Sequence, residues 1–247
     1  MIRRLRIVWP DEALFASREG RPIRLLAVSD DIDAALGHAV NRAGLGRLDV
    51  IVGCGDLELD YLGFLADAFH VPLAFVRGNH DRGGRWEESS GAAPRPLATG
   101  HLSRLEGLTI AALEWPGTRS DEAMRHDSRA WWDVARLATS IASRRLTGRR
   151  GPILVLSHAP PEGLGDRAAD RYHVGFAAYR WLLVRLRPPL WLHGHVPPAS
   201  VSDWRCSLGR TTIANVTGAV VIELVPPGSE WRPGDGRPGR GGEREAA

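Results

Sequence analysis

Carboxylate, amide and imidazole side chains follow several short apolar runs of the sequence, and side chains of these types bind metal ions. In chain order they are Asp30, Asp31 and Asp33; Asp56; Asn79, His80 and Asp81; His158; and His193 and His195. This mixture of oxygen and nitrogen donors suits Mn²⁺, Fe or Zn²⁺ better than Ca²⁺, and the lack of cysteine argues against a structural zinc site. The pattern predicts a metal site built from distant parts of the chain.

The apolar runs that precede these side chains are typical of strands buried on both faces. They are Ile23–Val28, Val50–Val52, Pro72–Val76, Ile153–Leu156 and Leu190–Leu192, with a further strand at Leu108–Leu113. Helical patterns lie between them, at about 32–46, 57–70, 127–147 and 175–187. The alternation predicts an α/β fold with parallel strands, which binds ligands at the carboxyl ends of its strands. We therefore expect the polar clusters to meet at one edge.

The remaining segments complete a single predicted domain over residues 1–225. Residues 1–20 are expected to add a strand and a turn as an N-terminal extension, and residues 201–225 two or three antiparallel strands, with TTIANV and AVVIEL joined at Thr217-Gly218. Residues 82–100 are rich in Gly, Pro and Ser and predict a rim or lid. Substrate specificity is expected in 82–100 and 115–127. Residues 226–247 have little to bury and predict a disordered tail.

The composition of the sequence limits the kinds of binding partner and the cellular location that we expect for the protein. No apolar run approaches the ~20 residues that span a bilayer, and MIRRLRIVWPDEALF is too polar for a signal peptide. The two cysteines, Cys54 and Cys206, fit a reducing compartment. We therefore expect a cytoplasmic protein without a membrane partner. All 32 basic residues are arginine and they are scattered along the chain, which does not favour nucleic-acid binding. No pattern indicates an oligomeric state.

Four of the polar motifs together resemble those of a known family. The strings GCGD, RGNHD, LSHAPP and HGH, in this order and spacing, are similar to the motifs of calcineurin-like metallophosphoesterases, over about residues 23–225. The resemblance implies a four-layer α/β/β/α sandwich with two metal ions at the strand ends. It is strongest to single-domain bacterial and archaeal phosphoesterases, which carry a GD…HxGF segment. Here that segment is Gly165-Asp166 and His173 to Phe176.

The resemblance also implies roles for individual residues. Asp30 would bind the first metal, Asp56 would bridge both, and Asn79, His158 and His195 would complete the second. The implied reaction is hydrolysis of a phosphate ester by a metal-activated hydroxide. His80 would protonate the departing alkoxide and Asp81 would orient His80. The branch and the scarcity of basic residues in the motifs favour a phosphodiester over a monoester. The substrate would be a small phosphorylated molecule, with nucleotides among the candidates.

The sequence departs from the family pattern at two positions. The family's Asp-x-His is Asp30-Asp31-Ile32 here, and its Gly-His-x-His ends in Pro197. Both missing histidines belong to the first metal, so we expect an atypical first site and one or two bound ions. A carboxylate substitute would favour Mn²⁺ or Mg²⁺, and Mn²⁺ is the metal we expect first, ahead of Fe, Zn²⁺ and Mg²⁺. The candidate substitute ligands are Asp31, Asp33, His173 and His193.

Each substitute also has a structural interpretation. Asp30 or Asp31 would cap a helix beginning near Ile32, and Asp33 would be an acidic residue of its first turn. His173 would cap the helix after it, and His193 would be a buried strand-end histidine. The lost histidines also leave a second function open. In that alternative the protein is a degenerate, non-catalytic phosphoesterase-like module that binds a phosphorylated ligand or a partner.

Overall fold

Two β-sheets form the centre of the fold in a computed structural model that describes residues 2–81, 94–117, 126–167, 170, 172–198 and 203–229. The first sheet contains, in spatial order, β1 (Arg3–Val8), β11 (Gly218–Val225), β2 (Ile23–Ser29), β3 (Val50–Gly53) and β4 (Leu73–Phe75). The second contains β5 (Leu102–Leu105), β6 (Leu108–Leu113), β7 (Leu154–Ser157), β8 (Leu190–His193), β10 (Thr211–Asn215) and β9 (Arg205–Leu208). Parallel pairing dominates in both sheets.

The helices are α1 (Glu12–Ala16), α2 (Ala39–Gly44), α3 (Leu59–Phe69), α4 (Asp127–Leu146) and α5 (Ala177–Leu186). The last three cover the outer faces of the sheets, whereas Phe15 of α1 packs between the sheets. Side chains of α3 pack on the first sheet, and side chains of α4 and α5 pack on the second. A third cluster joins the facing sides of the two sheets. The arrangement is the predicted four-layer α/β/β/α sandwich.

The apolar runs are continuous because both faces of these strands are covered. In β2, Leu25 and Ala27 belong to the cluster between the sheets, whereas Leu26 and Val28 pack toward the helices. Alternate side chains of a strand point to opposite faces, so a strand covered on both faces needs apolar residues throughout. Burial of all four side chains is complete.

The structure corrects the predicted helix over 32–46. A 3₁₀ turn spans Ala34–Gly37, and α2 begins only at Ala39 because His38 between them is extended, with φ −96° and ψ 125°. Gly37 directly before it has a low helix propensity. Asp33, rather than Asp30 or Asp31, caps the turn, since its Oδ1 accepts a hydrogen bond of 2.9 Å from the backbone N of Ala35.

The antiparallel pairing predicted at Thr217-Gly218 is also wrong. β10 pairs with β8 in the second sheet, whereas β11 lies between β1 and β2 in the first. The two apolar strands are adjacent in sequence, but each is buried on both faces in a different sheet, so the chain crosses between sheets at Thr217. Two elements of the fold, α1 and β5, were not predicted from the sequence. Of the described helices, none has the length and apolar character needed to cross a membrane.

The polar clusters follow the carboxyl ends of strands in both sheets. Asp30 follows β2, Asp56 follows β3, and Asn79 comes shortly after β4. His158 follows β7, and His195 comes two residues after β8. Parallel strands present their carboxyl ends along one edge, and the two sheets place these edges side by side.

Candidate metal centre

Asp30, Asp56 and His158 form the centre of the polar cluster. One carboxylate oxygen from each aspartate and one ring nitrogen of His158 all lie within 4.8 Å of one another. Asn79 adds an amide oxygen, because its Oδ1 is 2.8 Å from Nε2 of His158. The same nitrogen is 3.3 Å from Oδ2 of Asp56. Carboxylate, amide and imidazole donors therefore converge on one point, as the ligands of a divalent metal do.

His158 is oriented by the backbone of β3's end. Its Nδ1 lies 2.7 Å from the carbonyl oxygen of Cys54. A carbonyl only accepts hydrogen bonds, so Nδ1 carries the proton and Nε2 faces the carboxylates. Burial by itself lowers the pKa of His158, but the charges of Asp56 and Asp30 and its hydrogen bonds raise that pKa to about 9. The negative charges of Asp56 and Asp30 therefore favour a bound cation at this position.

Three residues at the strand ends have backbone conformations that residues other than glycine seldom adopt. Asp30, Asp56 and His195 have φ values of 58°, 57° and 67°. Residues held in the left-handed region concentrate at functional sites, where the surrounding structure fixes them. All three lie just beyond strand ends, and the turn that each makes directs its side chain toward the common edge.

Glycines allow the loops to approach these side chains. A Cβ on Gly55 would lie 2.5 Å from Nδ1 of His158 and 2.6 Å from the backbone N of Gly78. A Cβ on Gly194 would overlap Oγ of Ser29 and Oδ2 of Asp30. Gly55 of GCGD and Gly194 of HGH are therefore required by close packing around these side chains.

Asp30 is fixed by groups from two later parts of the chain. The backbone N–H of His195 donates to both carboxylate oxygens, at 3.1 and 2.9 Å, and the hydroxyl of Thr217 donates to Oδ2 at 3.1 Å. Burial raises the pKa of Asp30, against the charge of His158. Thr217 was missed in the sequence because a single threonine after a strand carries no distinctive pattern. Asn215 supports it by donating from Nδ2 to the carbonyl of Val196 and accepting from Thr217 N.

Asp81 holds the loops that carry the cluster. Its Oδ2 accepts hydrogen bonds from the backbone N–H groups of Asp56, at 2.7 Å, and Gly78, at 2.8 Å. Burial raises the pKa of Asp81 to about 6. The exposed His80 is tied to the same place, since its backbone N–H donates to Oδ1 of Asp56 at 2.8 Å.

His195 lies beside His158, with their ring centres 4.9 Å apart, and packs against a further aromatic ring. Its Nε2 donates to the carbonyl of Tyr172 at 2.7 Å, which leaves Nδ1 unprotonated and able to bind a metal. Burial and the charge of His158 lower the pKa of His195 to about 3, so the ring is neutral. The buried ring of Trp115 lies 4.7 Å from the ring of His195 and 5.9 Å from that of His158, centre to centre. Trp115 was also missed, because tryptophans are common in cores.

The sequence model of calcineurin-like phosphoesterases matches residues 23–199. The chain belongs to this family. It is accordingly a phosphoesterase, of a family that uses divalent metals, and the donor set at the strand ends fits such ions. No curated protein sequence matches the chain.

Solved structures share the phosphoesterase fold at low sequence identity. The structure of TT1561 from Thermus thermophilus has 18% identity and a TM-score of 0.56, and the match covers 80% of this chain and 90% of that one. The structure of phosphopantetheinyl hydrolase (PptH) from Mycobacterium tuberculosis has 14% identity and a TM-score of 0.50, with 87% and 100% covered. At these identities the likeness concerns the fold.

The two positions that depart from the phosphoesterase pattern are both exposed to solvent. Ile32 is 56% exposed and Pro197 is exposed as well. Among the candidate substitutes, Asp31 is exposed and Asp33 is occupied in capping the 3₁₀ turn. Of the residues that the structure describes, Asp30, Asp56 and His158 form the only group of three or more histidine, cysteine or acidic residues whose ligand atoms all lie within 4.8 Å of one another.

The two candidate histidines have different surroundings. His193 is buried beside Gly165, with Nδ1 3.0 Å from the carbonyl of Gly194, and burial lowers its pKa to about 4. His173 adjoins the cluster, because its ring centre is 5.2 Å from that of His195. Asp170 orients it through a contact of 2.6 Å between Oδ2 and Nδ1. His173 caps no helix, since α5 begins at Ala177. Residues 82–93 and 118–125, where specificity was predicted, lie outside the described residues.

Proposed function

We propose that the protein hydrolyses a phosphodiester at a metal centre whose first site is atypical. One observation carries the proposal. Ligand atoms of Asp30, Asp56 and His158 lie within 4.8 Å of one another, and Asp56 also holds the backbone of His80. A cluster of metal donors with a histidine attached to it is what metal-assisted attack on a phosphate ester requires.

The residues divide into ligands and a proton donor. We assign metal binding to Asp30, Asp56, Asn79, His158 and His195. A bound divalent ion supplies positive charge that stabilises the phosphate oxygens and favours deprotonation of the attacking water. His80 is exposed next to the cluster, so its ring can give a proton to the departing alkoxide oxygen. Asp81 acts through the backbone of Asp56 and Gly78, which it holds in place.

Charge near the site supports a diester over a monoester. The motif RGNHD contains one arginine, Arg77. Its Nε donates to Oε2 of Glu114 at 2.9 Å. Its charge is therefore already balanced and does not favour the second negative charge of a monoester. We also propose that the substrate is a small phosphorylated molecule, such as a nucleotide-derived diester, and that the protein is cytoplasmic.

We expect metal-dependent cleavage of a generic diester. With Mn²⁺ added, the protein should hydrolyse bis(p-nitrophenyl) phosphate with a higher kcat/KM than p-nitrophenyl phosphate. His80→Ala should lower kcat by about 10²–10⁴-fold for a dinucleoside monophosphate, whose alkoxide leaving group needs a proton, because that leaving group loses its acid. The measurements are release of p-nitrophenol from the aryl esters and of nucleoside from the dinucleoside monophosphate, over a range of substrate and Mn²⁺ concentrations.

The matched control is His38→Ala, which removes an exposed histidine that makes no capping hydrogen bond. Its kcat should equal that of the wild type. Equal activity of the wild type and His80→Ala toward the dinucleoside monophosphate would contradict the role of His80, and a higher kcat/KM for the monoester would contradict the diester preference.

Metal content per chain tests the atypical first site. Because Ile32 and Pro197 replace two imidazoles, we expect one ion per chain to survive desalting and a second to be held only in excess Mn²⁺. Elemental analysis of protein purified without chelator measures this directly. Two ions retained after desalting would mean that a substitute ligand is recruited. In that case His173→Ala should reduce the content to one, whereas the exposed Asp31→Asn should leave it at two.

The missing histidines also motivate a second candidate function, a non-catalytic module that binds a phosphorylated ligand or a partner. Binding of a nucleotide in a one-to-one ratio, with no turnover at any Mn²⁺ concentration, would favour it. Metal-dependent turnover above the control without enzyme would exclude it. The complete donor set of the second site favours the enzyme.

A further inference from the structure

A second polar cleft lies at the end of the second sheet that is opposite the metal centre. It has a volume of about 870 Å³ and lies between the C-terminal part of α4 and the start of β6. Thr109 at the start of β6 and Gly151 before β7 line it, whereas the metal ligands follow the carboxyl ends of the strands. The cleft and the metal centre are therefore separate sites.

Three guanidinium groups converge on this cleft. Arg104, Arg144 and Arg149 line it, and Asp11 is the one carboxylate among its lining residues. In the described part of the chain, none of the three arginines forms an ion pair. Asp11 already caps α1, where its Oδ1 accepts from the N–H of Leu14 at 3.1 Å. The cleft therefore has an excess of positive charge.

Arg144 is held in position at the base of the cleft. It donates to the carbonyl of Gly151 at 3.0 Å and to the hydroxyl of Thr109 at 3.1 Å. Burial lowers the pKa of Arg144, and so do the charges of Arg104 and Arg149, which lie close enough to repel it. An anion between these groups would relieve that repulsion, and guanidinium groups bind phosphate oxygens with paired hydrogen bonds.

We propose that this cleft binds a diphosphate group, at a site remote from the metal centre. The size of the cleft fits a ligand larger than a single phosphate. Its lining is mostly hydroxyl-bearing and cationic, with Thr139, Ser140, Ser143 and Thr147 beside the arginines. The hydroxyls of Thr139, Ser140 and Thr147 already donate to carbonyl oxygens of α4, so the hydroxyl donors for phosphate oxygens are Thr109 and Ser143. Three arginines and one aspartate give the lining a net charge of about +2, which favours a diphosphate.

Calorimetric titration with inorganic pyrophosphate tests the site. The Arg104→Gln/Arg149→Gln variant should bind it at least about tenfold more weakly than the wild type, because two charged donors are lost. Arg144 is left intact, because its hydrogen bonds hold the local structure. The charge-matched control is Arg145→Gln/Arg150→Gln, which changes two neighbouring arginines outside the cleft and should alter the affinity by less than about twofold.

The metal centre is tested separately with Asp56→Asn, which should still bind pyrophosphate. Loss of binding in Asp56→Asn, with no effect of the cleft variant, would assign the anion to the metal centre and overturn the proposal. Equal weakening in the cleft variant and its control would overturn it as a general charge effect, as would a lack of wild-type binding. Adenosine diphosphate in a second titration distinguishes the source. Equal affinity means that a free diphosphate suffices, and tighter binding means that the diphosphate is carried on a nucleoside.

Discussion

Asp56→Asn is expected to lower kcat/KM for bis(p-nitrophenyl) phosphate at least about a thousandfold, which corresponds to about 4 kcal/mol of transition-state stabilisation. Asn has nearly the same shape and keeps an oxygen that can accept from the backbone N–H of His80. The substitution therefore removes the negative charge at the centre of the cluster, which lies 3.3 Å from Nε2 of His158. Metal content measured on the same sample should fall with the activity.

The pKa of His158 provides an independent readout of this substitution. The charge of Asp56 is the largest of the effects that raise this pKa, so it should be lower in metal-free Asp56→Asn than in the metal-free wild type. Titration of the imidazole by NMR measures the change. Asp67→Asn, at an exposed position on α3, is the control and should alter neither the activity nor the pKa. Wild-type turnover in Asp56→Asn would refute the assignment of Asp56 as a ligand.

Gly78→Ala is expected to disable the metal centre without changing any ligand. The added Cβ would lie 2.6 Å from Cγ of Asp56 and 2.7 Å from Cε1 of His158. Neither side chain can move freely, because Asp56 binds His80 N and His158 binds the carbonyl of Cys54. The added Cβ must therefore displace one of these side chains, and a displacement of about 1 Å at a catalytic site costs on the order of a hundredfold in rate. Overpacking should also lower the free energy of unfolding by about 1–3 kcal/mol.

Gly63→Ala makes the same chemical change on α3, where the added Cβ would meet no atom within 4 Å. Because alanine favours helix, this control should raise the free energy of unfolding by about 0.5–1 kcal/mol and keep full activity. Denaturant unfolding and diester hydrolysis measured on both variants separate stability from the site. Activity in Gly78→Ala equal to that of Gly63→Ala would contradict the packing described around Asp56.

The ends of the strands were predictable because a strand that is buried on both faces is a continuous run of apolar residues. Residues such as Leu25 and Leu26 must both be apolar when sheet and helix cover them, and a polar residue directly after such a run is conspicuous. The sequence therefore predicted where Asp30 and Asp56 lie. It could not predict the sheet to which β11 belongs, because an apolar strand fits either sheet equally well.

The groups that orient the proposed ligands were harder to predict. His158 and His195 are directed by the carbonyl oxygens of Cys54 and Tyr172, and a backbone carbonyl has no signature in the sequence. The failure at 32–46 was local, since Asp33 caps only a 3₁₀ turn and one extended residue, His38, separates that turn from α2. Ligation by the candidate substitutes stays a prediction, which the metal content measurement addresses.

The position of β11 between β1 and β2 has a consequence for the order of folding. During synthesis, β1 leaves the ribosome before the other described strands, yet its sheet neighbour, β11, is made more than 200 residues later. Thr217, which binds the carboxylate of Asp30, arrives just before β11. Contacts of such long sequence separation form slowly. The nascent chain must therefore hold an incomplete first sheet until β11 has been made, and the cluster around Asp30 acquires its full set of contacts only then.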